Sequence, residues 1–98
     1  MSVPPAVSIV LATRNQARWL PETLASVQAQ TVTDWELLLV NDGSTDATAE
    51  IAARAAADPR VRYLPGPHRE RAVARNRGIA AAAAAIVVVT SGVVDFPP

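Results

Sequence analysis

The sequence predicts an α/β fold in the order β-α-β-α-β-α-β, a parallel sheet with helices over both faces. Three observations carry that prediction. Three short apolar runs, Ala6–Ala12, Leu37–Val40 and Ile86–Val89, mark strands buried on both sides, and Val61–Leu64 reads as a further short strand. The segments between them space their apolar residues as amphipathic helices do. A crossover helix between parallel strands needs a face of the sheet to bury against, so both faces are covered.

The elements follow in order. Pro4-Pro5 keeps the leader extended. The first strand, rich in β-branched residues, is bounded by the polar Thr13-Arg14-Asn15. Asn15 is the expected N-cap of a helix reaching Gln30, with Leu20, Leu24 and Val27 on its buried stripe and Pro21 in its first turns. The second strand follows Trp35-Glu36 and ends in Asn41-Asp42-Gly43-Ser44. Ser44, Thr45 or Asp46 caps the next helix, which carries Ile51, Ala52 and Ala55 inward and stops before Pro59. After the third strand, Pro65-Gly66-Pro67 reads as a loop. A third helix is expected from Arg69 to about Ala83, anchored by Val73 and Ile79 and closed by a tightly packed alanine tract, Ala80–Ala85. The fourth strand then leads to the chain end at Phe96-Pro97-Pro98.

Composition narrows the function classes. The 98 residues are half hydrophobic but only 4% aromatic, enough for one domain with a core of small side chains. Nine arginines balance nine acidic residues, and a net charge of zero argues against non-specific nucleic-acid or acidic-membrane binding. The lack of cysteine removes disulfides and thiolate chemistry. The longest apolar run, Ile79–Val89, is too short to cross a bilayer. With no signal-peptide pattern at the N-terminus, the expected compartment is the cytoplasm.

Ligands of an open parallel sheet bind beyond the carboxyl ends of its strands. Three polar segments fall there: Thr13-Arg14-Asn15, Asn41-Asp42-Gly43-Ser44 and Ser91-Gly92. Asp42 is the sharpest candidate, because a carboxylate at a strand end beside a glycine turn can accept hydrogen bonds from a base edge or sugar hydroxyls. It can equally organise the turn, and Thr13 and Asn15 can be caps. A second feature is charge: six arginines lie between Arg60 and Arg77 against one acid, Glu70. Arg71 and Arg75, four apart, share a helix face and suit a diphosphate or simply a solvated surface. His68, the only histidine, stands in a proline-flanked loop and reads as a surface residue. No nucleophile elbow, glycine-rich phosphate loop or zinc spacing is present.

Four ordered motifs resemble the family 2 glycosyltransferases. They are Val7–Asn15 (V-S-I-V-L-A-T-R-N), Leu20–Thr31 (L-P-E-T-L-A-S-V-Q-A-Q-T), Trp35-Glu36-Leu37 with Val40–Thr48 (V-N-D-G-S-T-D-A-T), and Ala74–Ile79 (A-R-N-R-G-I). The resemblance implies a Rossmann-like sheet forming the N-terminal half of a GT-A fold. It also implies transfer of a sugar from a nucleotide-diphosphate donor, usually a UDP-sugar, to an acceptor hydroxyl with inversion. Carried onto this chain, Thr13 and Asn15 would line the nucleoside pocket, Asp42 would contact the uracil or ribose, and Arg75 would lie near the donor. Arg71 would assist Arg75 by its helical position.

The sequence departs from the family at three places. Glu70 stands where the family often has glycine. The family's Asp-x-Asp element, which holds Mg²⁺ or Mn²⁺ on the donor diphosphate, would fall near Ser91-Gly92-Val93, and Asp95 is the one acid nearby. The family's catalytic base and acceptor-binding half lie beyond the fourth strand. The expectation is therefore a single truncated domain, residues 1–98, that binds a nucleotide sugar and is inactive alone. The alternative is a non-catalytic nucleotide-binding or oligomerisation module, with Val87, Val89, Val93 and Val94 pairing copies along the sheet edge into a homo-oligomer.

Overall fold

The computed structural model describes residues 5–30, 34–68, 71–84 and 86–91, with backbone alone for 71, 72 and 86–91. The expectations placed on Arg69, Glu70 and residues 92–98, and on the side chains of Arg71, Val87 and Val89, lie outside the described residues. The elements are β1 (Val7–Thr13), α1 (Leu20–Gln28), β2 (Trp35–Asp42), α2 (Thr48–Ala55), β3 (Val61–Gly66), α3 (Arg71–Ala81) and β4 (Ile86–Ser91). The sheet order is β3-β2-β1-β4 and every pairing is parallel. The predicted α/β class is what forms. Among the described residues, no helix is long and apolar enough to cross a membrane.

The order reverses at β1, so right-handed crossovers put α1 and α2 on one face and α3 on the other. The period of two along each strand divides the core accordingly. Ile9, Leu11, Leu37 and Leu39 meet Leu20, Leu24, Val27 and Ala52 on the α1/α2 face. Ala12 and Val40 meet Ala74 on the α3 face. The stripe expected for α1 is buried as predicted, and Ile51 and Ala55 of α2 pack beside Ala52.

Helix α3 differs from expectation. Val73 and Ile79, the predicted anchors, are 42% and 44% exposed, while Ala74 is 2% exposed and Gly78 is buried. A Cβ at Gly78 would lie 2.3 Å from a Val10 methyl. The helix thus seats on the sheet through two small residues four apart, at a separation that larger side chains would prevent. Strand β3 also runs further than predicted, through Pro65-Gly66, with Pro65 opposite Asn41. A proline is tolerated there because β3 lies at the edge of the sheet among the described strands.

The alanine tract ends in a polar clamp at the N-terminal edge of the sheet. The Ser8 hydroxyl donates to Glu36 Oε2 (2.5 Å), as does the backbone N–H of Ala83 (2.6 Å). Ser8 Oγ in turn accepts the N–H of Ala84 (3.0 Å). Arg62 bridges Glu36 Oε1 (3.4 Å) and the Ala81 carbonyl (2.7 Å) at the C-terminal end of α3. Burial by itself would raise the Glu36 pKa, but the bonds from Ser8, Ala83 and Arg62 outweigh it and hold it below the ordinary glutamate value. Because the folded value is depressed, this carboxylate adds stability that is fully present above its unfolded pKa and is lost as pH falls through the folded one. Glu36→Gln is therefore expected to cost about 1–3 kcal/mol at pH 7. It should also remove the part of the wild-type stability loss that begins below about pH 5, as read by urea denaturation at a series of pH values.

Candidate functional site

Parallel pairing in register sets Thr13 of β1 opposite Asn41 of β2, so the two strands stop at the same level. The β1–α1 and β2–α2 loops therefore leave the sheet side by side at its C-terminal edge. Here α3 also starts, because a crossover helix runs antiparallel to the strands it connects.

The first loop does not begin a helix at Asn15 as predicted. Asn15 adopts φ +53°, and α1 starts only at Leu20 after Trp19 as N-cap. Asn15 is instead a clasp between the loops. Its N–H donates to Ser44 Oγ (3.0 Å), and its Oδ1 accepts the N–H (2.7 Å) and hydroxyl (3.3 Å) of Thr45. The left-handed conformation, which asparagine tolerates better than most residues, makes this geometry reachable. The next two N–H groups follow suit, Gln16 donating to Thr48 Oγ1 (2.9 Å) and Ala17 to Asp46 Oδ2 (3.3 Å). Asp46 also accepts the N–H of Thr48 (2.9 Å). The N-cap of α2 is nonetheless Ala47, which offers no side-chain cap, and not Ser44, Thr45 or Asp46 as expected. Those three side chains are engaged with the β1–α1 loop or the turn. Bonds from the Thr48 hydroxyl and backbone, with that of Ala17, hold the Asp46 carboxyl below its ordinary value. The hydroxyl of Thr13, 3% exposed, donates to Gln16 Oε1 (3.0 Å). Thr13 and Asn15 thus hold the loop in place.

The second strand ends in two adjacent polar side chains on opposite faces. Asn41 donates from Nδ2 to the Tyr63 hydroxyl (2.9 Å) and accepts the Ser44 N–H on Oδ1 (3.0 Å). Asp42 points to the α3 side, where its Oδ2 lies 3.0 Å from Nδ1 of His68. The Asp42 side chain is 8% exposed and that of His68 53%. His68 is thus exposed, as predicted, but it is also the outer partner of the buried carboxylate. The sequence reading missed this because it ended β3 at Leu64. Counting the strand through Gly66 brings residue 68 to the same edge as Asp42. Gly43 makes the approach possible: at φ +66°, its Cβ position would lie 2.3 Å from the His68 backbone nitrogen.

The arginine-rich stretch is largely occupied elsewhere. Arg60 pairs with Asp58 (2.9 Å) and stacks on Trp35, 3.9 Å from the ring centroid. Arg62 serves the Glu36 clamp. Arg77 donates to the Pro65 carbonyl (2.9 Å), its guanidinium lying where a side chain at Gly66 would go. Arg75, half-buried in the first half of α3, has no such structural bond assigned among the described residues.

A hard divalent cation needs several oxygen donors. Among the described residues, no group of three His, Cys, Asp or Glu side chains is placed to hold one. At this edge the Asp46 carboxylate is committed to backbone N–H groups and Asp42 faces an imidazole, so the described residues do not form a Mg²⁺ or Mn²⁺ site. Gly43→Ala adds a left-handed alanine and a backbone clash. It is expected to lower the unfolding free energy by about 2 kcal/mol or more, seen as a reduced urea midpoint with an unchanged slope.

Comparison with known proteins agrees with the fold. An uncharacterized glycosyltransferase of Rickettsia felis is 37% identical over 73 residues, covering 74% of this chain and 12% of that protein. The mannosyltransferase PcManGT of Pyrobaculum calidifontis, solved with GDP-Man and Mn²⁺, superposes with a TM-score of 0.76 at 27% identity, over 92% of this chain and 28% of its own. TarS 1–349 of S. aureus, solved with UDP-GlcNAc, gives 0.65 at 25% identity, over 87% and 26%. The chain thus spans about a quarter or less of the length of these relatives. The model of glycosyl transferase family 2 matches residues 8–91, from Ser8 in the first strand to the last residue of β4, and the chain accordingly belongs to that family.

Proposed function

We propose that the C-terminal sheet edge binds the nucleotide of a nucleotide-diphosphate sugar, with a UDP-sugar as donor. The observation that carries this is Asp42: a carboxylate at the end of a fully buried strand, aimed to the α3 side, at the edge where three connections meet. Desolvated by its surroundings, it is a strong acceptor for the N–H of a base or the hydroxyls of ribose. Thr13 and Asn15 shape the pocket by fixing the β1–α1 loop beside it. Arg75, with Arg71 one turn earlier on α3, supplies guanidinium to the diphosphate. The net charge of zero suits a site whose positive charge is local.

The relatives of known structure support the ligand class, having been solved with GDP-Man, UDP and UDP-GlcNAc. Transfer to an acceptor hydroxyl with inversion needs a base, and we assign that role to none of the described residues. This chain's part is donor binding, and by itself it is expected to transfer no sugar. A second reading, a non-catalytic oligomerisation module, draws on β4, which among the described strands pairs with β1 alone.

Calorimetric titration with UDP and GDP separates the two. The donor-site reading expects saturable binding that weakens at least tenfold in Asp42→Ala and several-fold in Arg75→Ala, with UDP the tighter ligand. Absence of binding at millimolar nucleotide, together with a sedimentation coefficient that rises with protein concentration, favours the module.

A further inference from the structure

We propose that Asp46 is a positioning residue for nucleotide binding: it touches no ligand, but ties the β1–α1 loop to the β2–α2 loop and so fixes the first loop's shape before the nucleotide arrives. The proposal rests on the reading of the C-terminal sheet edge as the nucleotide site, and it names a residue that sets the affinity of that site from outside.

The geometry carries it. Residues 14–19 join β1 to α1 with no helix or strand of their own. Three consecutive N–H groups of this connection reach across to the neighbouring loop: Asn15 donates to Ser44 Oγ, Gln16 to Thr48 Oγ1 and Ala17 to Asp46 Oδ2. Attached at Asn15 alone, the loop could pivot about that point. The bonds at Gln16 and Ala17 remove this freedom, and Asp46 governs both. It accepts the Ala17 N–H directly, and it also accepts a bond from the Thr48 hydroxyl. That second bond turns the hydroxyl proton toward the carboxylate and leaves an oxygen lone pair for the Gln16 N–H. Thr48 is fully buried, so its hydroxyl takes its orientation from the protein groups around it.

Asp46 is exposed, yet both of its oxygens are engaged, Oδ1 with the Thr48 N–H and Oδ2 with that of Ala17. Bonds from the Thr48 hydroxyl and backbone hold its carboxyl below the ordinary aspartate value, so it stays ionised and its bonds are charge-assisted. Capping does not account for the arrangement. The N-cap of α2 is Ala47, and the Ala17 bond joins residues 29 apart in sequence without serving that helix. A loop fixed in advance spares the nucleotide the ordering of its backbone. Without the carboxylate the loop keeps its attachment at Asn15 and loses its defined shape, and the affinity owed to that shape goes with it. Asparagine has one acceptor oxygen where aspartate has two, so Asp46→Asn serves Thr48 or Ala17 but not both.

The test combines calorimetric titration of UDP and of GDP with amide hydrogen exchange, on the 98-residue chain as wild type, Asp46→Asn and Asp46→Ala. Asp46→Ala is expected to weaken the tighter nucleotide about tenfold or more, and Asp46→Asn by less. In the free variants, exchange at Gln16 and Ala17 should quicken about tenfold more than at Leu38 and Leu39, whose amides report global unfolding. Saturating nucleotide should restore the protection of Gln16 and Ala17. Three results overturn the positioning role while leaving the nucleotide site standing. The first is unchanged affinity in Asp46→Ala. The second is weakened affinity with Gln16 and Ala17 as protected as in the wild type, which would make the carboxylate a direct ligand contact. The third is equal acceleration at these amides and at Leu38 and Leu39, which would make Asp46 a residue of general stability. Should the alanine variant fail to fold, the asparagine variant decides by the same criteria. A wild type that binds neither nucleotide at millimolar concentration, with native circular dichroism, overturns the site reading and the positioning role with it.

Discussion

The register of β1 against β2 is the constraint on which the rest depends. Seven consecutive residues of the two strands pair in parallel, from Val7 with Trp35 to Thr13 with Asn41. Both strands are buried almost throughout, and a slip of one residue would turn the Leu37/Leu39 face toward α3 and the Asp42 side toward α1 and α2. The hydrophobic pattern therefore fixes where the strands end. Their shared end brings two loops, almost thirty residues apart in sequence, within reach of one another. The polar residues of those loops then satisfy each other: Asn15 with Ser44 and Thr45, Gln16 with Thr48, Ala17 with Asp46. A rigid rim around Asp42 results.

The two edges of the sheet treat a buried carboxylate in different ways. Glu36 and Asp42 both project from β2 to the α3 side, six residues apart, at opposite ends. At the N-terminal edge Glu36 is enclosed by Ser8, the Ala83 N–H and Arg62, and it ties the end of α3 to the sheet. At the C-terminal edge, where strands of this architecture present ligands, Asp42 lies beside the exposed imidazole of His68. Enclosed by its three partners, the Glu36 carboxylate is committed to the fold. Likewise Arg60, Arg62 and Arg77 serve the structure, so a run of arginines that looks like one basic surface becomes separate attachments.

The fold class, the strand sequence and the buried stripe of α1 were legible in the residues, since Leu20, Leu24 and Val27 announce a helix face by size and spacing. Helix α3 was not, because Ala74 and Gly78 work by being small, while the conspicuous Val73 and Ile79 face water. Strand β3 was cut short because Pro65-Gly66 signals a turn locally, and only its place at the sheet edge permits it to pair. The position of Asp42 followed from sequence, but its partner did not. His68 reaches it through the full length of β3 and the close approach at Gly43, neither of which a linear pattern contains. Asn15 looked like a cap because capping is what asparagine does near a helix start. Its actual role spans two loops, and such long-range bonds appear only once the register is known.

The central claim is that the end of β2 and the loops beside it form the nucleotide site. Amide chemical-shift mapping of the ¹⁵N-labelled chain during addition of UDP tests it most directly. The account expects the largest shifts at residues 13–16, at Asn41, Asp42, Gly43 and Ser44, and at His68, with Ser8, Glu36 and Ala83 at the far edge unmoved. Shifts centred on that far edge, or spread evenly over the sheet, would contradict it.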